Sequence, residues 1–130
     1  MRQGSIIQAY KALDKLMQQD TPLPIAIKVF EMREKLRPCW EFQIIEEQKL
    51  QEKYKSVDFA TFSVSYQTDD EADKKLKLAE LSACEKEIRN LADLDREIEI
   101  EPLEIPVAAV SVKMAGRDIE ALKGFIEFTV

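Results

Sequence analysis

Apolar side chains recur along this chain first with a helical period and later with a strand period. Ile6, Tyr10, Leu13 and Met17 return at i, i+4, i+7 and i+11, and Ser5 with Gln8 fits a capping box, so the pattern predicts a first helix over about residues 5–19. Asp20-Thr21-Pro22-Leu23-Pro24 ends it, and either proline suits the first turn of a second helix. That helix is predicted to run to about Lys55, with Ile25, Val29, Met32, Leu36, Cys39, Trp40, Leu50 and Tyr54 on one face. Pro38 falls inside this stretch and cannot donate to the carbonyl of Glu34, which predicts one kinked helix. Ile27, Phe30, Phe42 and Ile45 point away from the seam, so a cover is expected for them, either the first helix or a second chain.

From Phe59 to Gln67 the period changes to two. Ala60, Phe62, Val64 and Tyr66 alternate with Thr61, Ser63 and Ser65, as in a half-buried strand. Thr68 with Glu71 fits a second capping box, and Asp69, Asp70, Glu71 and Asp73 place negative charge where a helix dipole is positive, so a third helix is predicted from about residue 69. Its seam of Leu78, Leu81, Cys84, Ile88 and Leu91 advances by threes and fours, as suits antiparallel packing on the second helix with Cys39 and Cys84 at one level. Beyond it, Glu97, Glu99 and Glu101 alternate with Ile98 and Ile100 up to Pro102, which predicts an acidic face and an apolar face. Leu103, Ile105 and Val107 continue towards the core, 111–114 reads as a second short strand, and Gly116-Arg117-Asp118 introduces a last helix with Ile119, Leu122 and Phe125. The expected fold is α+β, one domain over residues 1–130: a long antiparallel helical hairpin with a small antiparallel β-sheet and a short C-terminal helix.

Composition narrows the chemistry. At 130 residues and 45% apolar the chain has material for one core, and no run approaches the roughly 18 apolar residues of a membrane-spanning helix. Residues 1–8 read as neither a secretory signal nor a transit peptide, so a cytoplasmic location, in a host cell, is expected and no membrane contact. The chain has no histidine, which excludes the Ser and Cys triads that need one. Two distant cysteines offer no disulfide framework or zinc site and are expected as free thiols. Three isolated glycines, Gly4, Gly116 and Gly124, cannot assemble a phosphate loop or a dinucleotide fingerprint.

Net charge is −6, and its acidity is C-terminal: residues 1–57 hold ten basic and eight acidic groups, the remainder nine and seventeen. That balance argues against nucleic acid as a partner and permits binding to a basic protein surface. The acidic runs at 69–73 and 97–104 lack EF-hand spacing, so helix capping explains the first and a solvated face the second; no metal or cofactor is expected. Arg33, Arg37 and Trp40 lie at i, i+4 and i+7 beside the apolar seam, a composition enriched at protein interfaces, although a large aromatic more often serves packing. Candidate interface residues are therefore Arg33, Arg37 and Trp40, the apolar set Ile27, Phe30, Phe42 and Ile45, and the acidic row Glu97, Glu99 and Glu101. No catalytic residue is nominated.

The stretch REIEIEPLEIPVAAVSVKMAGRDIEALKGFIEF, Arg96 to Phe128, has an Ile-x-Ile strand, a turn, a Val-x-Met strand and a polar helix start at Asp118, Ile119, Ala121 and Leu122. With LPIAIKVFEMREKL, Leu23 to Leu36, it resembles a family of small tailed-phage and prophage proteins catalogued as domain of unknown function 1617. The resemblance implies a phage or prophage origin and an accessory role in virion assembly; the lack of catalytic parts makes that role a non-enzymatic one through protein contacts, and the uncovered apolar set makes a second copy one candidate partner. The alternative reading is an inhibitor of a host defence enzyme that uses the acidic C-terminal half, and a small enzyme of unfamiliar type is the third.

Overall fold

The computed structural model describes residues 1–64, 70–107 and 114–130. Helix α1 spans Gln3–Met17, α2 Leu23–Lys53, α3 Glu71–Asp93 and α4 Gly116–Ala121; the short strands are β1 Val57–Asp58, β2 Ser63–Val64, β3 Leu103–Pro106 and β4 Ile126–Thr129. The chain is thus α+β, with paired long helices, a small antiparallel sheet and a short C-terminal helix.

α1 begins earlier than its capping-box signal. Arg2 is the N-cap residue without a side-chain bond, and Ser5 and Gln8 lie inside the helix. The cause is non-local. Gln3 donates its backbone N–H to the carbonyl of Leu94 at 2.8 Å, Arg96 donates to Met1 at 2.7 Å, and Arg2 bridges Asp95, so the segment after α3 takes up the first free N–H of the helix and fixes the two residues ahead of it. α2 is one helix with Pro24 in its first turn and Pro38 inside it. α3 is capped by its own sequence: Asp70 accepts from the N–H of Ala72 at 3.0 Å, and Glu71 and Asp73 occupy the first turn. Thr68 and Asp69, assigned to that start from sequence, lie outside the described residues.

The larger core lies between α1, α2 and the C-terminal segment. Ile6, Leu13 and Leu16 meet Val29, Leu36 and Cys39, with Ile105, Leu122 and Phe125 closing the third side. Trp40 stacks on Tyr10 with ring centroids 4.7 Å apart, and Lys15 reaches Asp118 of α4 at 3.1 Å. Gln3, fully buried, donates to the carbonyl of Cys39 at 2.9 Å and to Gln43 at 3.2 Å, which ties the start of α1 to the middle of α2.

A smaller cluster of Tyr54, Val57 and Cys84, with Leu50, Leu81 and Ile88 against it, joins the end of α2 to α3. Here the predicted register fails, because Cys39 belongs to the larger core and Cys84 packs beside Tyr54, about 22 Å further along α2 at 1.5 Å per residue. The expectation assumed that α3 starts level with the end of α2. Instead Lys53 pairs with Glu87 and Ser56 bonds to Glu80, so the first turns of α3 run past the end of α2 and leave Leu76 and Leu78 exposed.

β1 and β2 pair antiparallel, Val57 opposite Val64, across a turn in which Phe62 has φ 51° and lies edge-on to Phe59. The predicted strand at 59–67 is therefore shorter and shifted; residues 65–67 lie outside the described residues. The second sheet is parallel. β3 pairs in register with β4, Leu103 beside Ile126 and Ile105 beside Phe128, because α4 carries the chain back to the starting end of β3. Gly124, at φ +84°, turns the chain into β4 in a conformation that L side chains rarely adopt. The proposed strand at 111–114 lies almost wholly outside the described residues.

Candidate protein-interaction surface

The acidic row forms as an alternation without a ladder. Ile98 and Ile100 pack against the larger core while Glu97, Glu99 and Glu101 face solvent. Yet residues 97–102 belong to no strand, and among the described residues their backbone makes no hydrogen bond. The segment is held at its ends by the Arg96–Met1 bond and by Leu103, which donates to the carbonyl of Phe125 at 2.9 Å. None of the three carboxylates has an ion-pair partner among the described residues, and the acidity continues on the sheet, where Glu104 stands beside Glu127, both exposed. Like charges set side by side repel, so this surface costs stability rather than adding to it.

The other candidates separate into structural ties and free surface. Arg33 pairs with Asp14 and lies over the rings of Tyr10 and Phe30, at 5.9 and 5.6 Å. With the Trp40–Tyr10 stack it fastens α1 to α2, so Arg33 and Trp40 act first in packing. Arg37 is half exposed; its hydrogen bond to Glu34 raises the guanidinium pKa, with that carboxylate and Glu41 adding to the effect.

Ile27, Phe30 and Ile45 are exposed by 48, 44 and 52% of their surface. α1 does not cover them, because it packs on the Val29–Leu36–Cys39 face, and at 100° per residue Ile27 and Ile45 lie about half a turn away. Phe42 is half-buried beneath the guanidinium of Arg96, 4.9 Å from its ring. Glu34, Arg37 and Glu41 intervene between Phe30 and Phe42, which splits the apolar set into two pairs.

Sequence reasoning missed two features. The first is the cluster that ends the α2–α3 contact. Hydrogen bonding to Tyr54 and then Lys53 holds the Glu87 carboxyl below its usual range; the same bonds to Glu87 raise Tyr54 and Lys53, and burial raises the Cys84 thiol. Each shift moves its group away from neutral pH, opposite to what a general acid, base or nucleophile at that pH needs. The second is a groove between α1 and α4, made of two adjoining hollows of about 640 and 540 Å³ that share Gln8 and Arg117. The polar stripe Ser5, Gln8, Lys11, Lys15, Gln18 was legible as the back of α1, but the residues facing it come from the far end of the chain.

Among the described residues no group of three Cys, Asp or Glu side chains is placed to hold a metal ion, and no helix is long and apolar enough to cross a membrane. Comparison with protein-family models, with curated proteins and with solved structures finds no match.

Proposed function

We propose that this chain is a phage- or prophage-encoded accessory protein that works by binding other proteins, in virion assembly, with the row Glu97, Glu99, Glu101 as its docking surface. The observation that carries the reading is the state of that row: three carboxylates are fixed outward by half-buried Ile98 and Ile100, without an ion-pair partner among the described residues. A charge array that repels itself and is held in no ion pair among the described residues is suited to a basic surface on a partner, where it steers encounter and sets register. The phage setting comes from the Leu23–Leu36 and Arg96–Phe128 patterns, and the pKa directions around Glu87 agree with a role that needs no acid–base catalyst.

The same row suits a second reading, occupation of the basic groove of a host defence enzyme. Affinity capture from infected cells separates the two. The assembly role expects virion proteins with the native chain, and the inhibitor role expects a host enzyme; in both, changing Glu97, Glu99 and Glu101 to Gln lowers recovery about tenfold or more at moderate salt. Equal recovery by the native and neutralised chains overturns the assignment of the row.

A further inference from the structure

The groove along α1 gathers cations that the rest of the fold leaves without ion pairs among the described residues. Of the cations that line it, Lys15 is committed to Asp118 at 3.1 Å and Arg2 lies 3.7 Å from Asp93. Lys11, Arg117 and Lys123 are exposed and have no partner among the described residues, against a single lining carboxylate without an ion pair, Glu120. Exposed Ser5 and Gln8 side chains lie between these charges and can donate to or accept from a peptide backbone. The hollow is thus furnished for an extended acidic segment: cations for its carboxylates, an amide and a hydroxyl for its main chain.

The chain itself carries such a segment. Residues 97–101 are acidic at every second position and have backbone groups unbonded among the described residues. The lengths also match: Glu97 to Glu101 spans about 13 Å of extended chain at 3.3 Å per residue, and Arg2 to Lys11 spans about 13.5 Å of helix at 1.5 Å per residue. Within one molecule the two features do not meet. No ion pair joins them among the described residues, and the row runs beside α2, with Arg96 over Phe42 at one end and Glu101 near Lys28 and Lys35 at the other.

We propose that the α1–α4 groove receives the row Glu97, Glu99, Glu101 of a second copy, so that copies associate head to tail. The contact pairs two different surfaces, so each bound copy still presents one free groove or one free row, and association continues until a ring closes or an end is capped. This inference rests on the reading of the row as a docking surface and adds the identity of one partner.

Sedimentation velocity of the purified full-length chain tests it at about 50 mM and about 500 mM salt, below and above the range where surface charges are well screened. At low salt, species heavier than a monomer grow with concentration, and at high salt the association weakens at least about tenfold. A groove variant, Lys11→Ala with Lys123→Ala, and a row variant, Glu97→Gln with Glu99→Gln and Glu101→Gln, are each monomeric alone. Mixed, they form a two-chain complex and nothing longer, because one keeps the row and the other the groove. Circular dichroism confirms that both variants are folded; if either is not, Lys11→Ala and Glu99→Gln replace them, with a loss of about threefold or more in association expected from each. A native chain that stays monomeric at low salt, or association that survives either variant, overturns the head-to-tail contact. Neither result touches the capture of other proteins, so this proposal and the preceding one fail separately.

Discussion

α1 and α3 reach helical structure by opposite routes. α1 has no side-chain cap and no acidic residue in its first turn, yet it buries Gln3, Ile6, Ile7, Ala9, Ala12, Leu13 and Leu16 among its 15 residues. α3 has Asp70 as a cap, Glu71 and Asp73 on its dipole, and the i, i+4 pairs Asp73–Lys77 and Glu85–Arg89, yet of its 23 residues it buries Cys84 alone. Local signals of this kind are individually worth a few tenths to about 1 kcal/mol, whereas a buried side chain is worth about 1.5–3 kcal/mol. The two helices therefore differ in what would undo them.

The largest expected effect separates the cores. Leu13→Ala or Leu36→Ala, each removing a side chain with no exposed surface, lowers unfolding free energy by about 2–5 kcal/mol in urea melts. Leu81→Ala, at the half-buried margin of the smaller cluster, costs about 1 kcal/mol. Equal losses at the two places would show that the smaller cluster is as consequential as the larger.

Thiol labelling is sharper still, because each core carries one free, buried cysteine. Under native conditions Cys84 reacts at least about tenfold faster than Cys39, through local opening of α3 at a free energy about 1.4 kcal/mol or more below global unfolding. Identical rates would mean that the two cores open as one unit.

Replacing the cap comes next in size. Asp70→Ala lowers stability by about 1 kcal/mol, while Ser5→Ala, at the position whose sequence imitates a cap, stays within about 0.5 kcal/mol of the native protein. A loss at Ser5 matching that at Asp70 would remove the distinction between the two helix starts.

The smallest effect is pH-dependent. The Glu87 carboxyl lies lower in the folded protein than in the unfolded chain, so its contribution is complete above the ordinary carboxylate range and is lost as pH falls through the folded value. Tyr54 and Lys53 shift upward, so theirs is complete at neutral pH and is lost only as pH rises through their raised, strongly alkaline values. Urea melts from mildly acidic to strongly acid pH should show Glu87→Gln converging on the native protein in acid; a constant gap between them would contradict the assignment.

What could be read from sequence and what could not divide along a physical line. The seam Val29, Met32, Leu36, Cys39 and the outward Glu97, Glu99, Glu101 were legible because side-chain direction in a helix or an extended segment repeats over a few residues, and the apolar positions record it. Pro24 at the helix start and the acidic first turn of α3 were legible for the same reason, since their effects act within one turn, although the cap is Asp70 where the sequence pattern pointed to Thr68.

α1 starts as early as Gln3 because Leu94 supplies a carbonyl to its first N–H, which no local pattern announces. The α2–α3 register, set wrongly by assuming level ends, depends on how residues 54–70 consume length between the helices. The parallel pairing of β3 with β4 depends on a return through α4, and the groove on two segments about a hundred residues apart coming together. The sequence by itself determined which way side chains face within each element, because that follows from backbone geometry over a few residues. Only the tertiary structure decided which faces meet, because distant segments are brought together by the summed burial of the whole core, and no single element carries that sum.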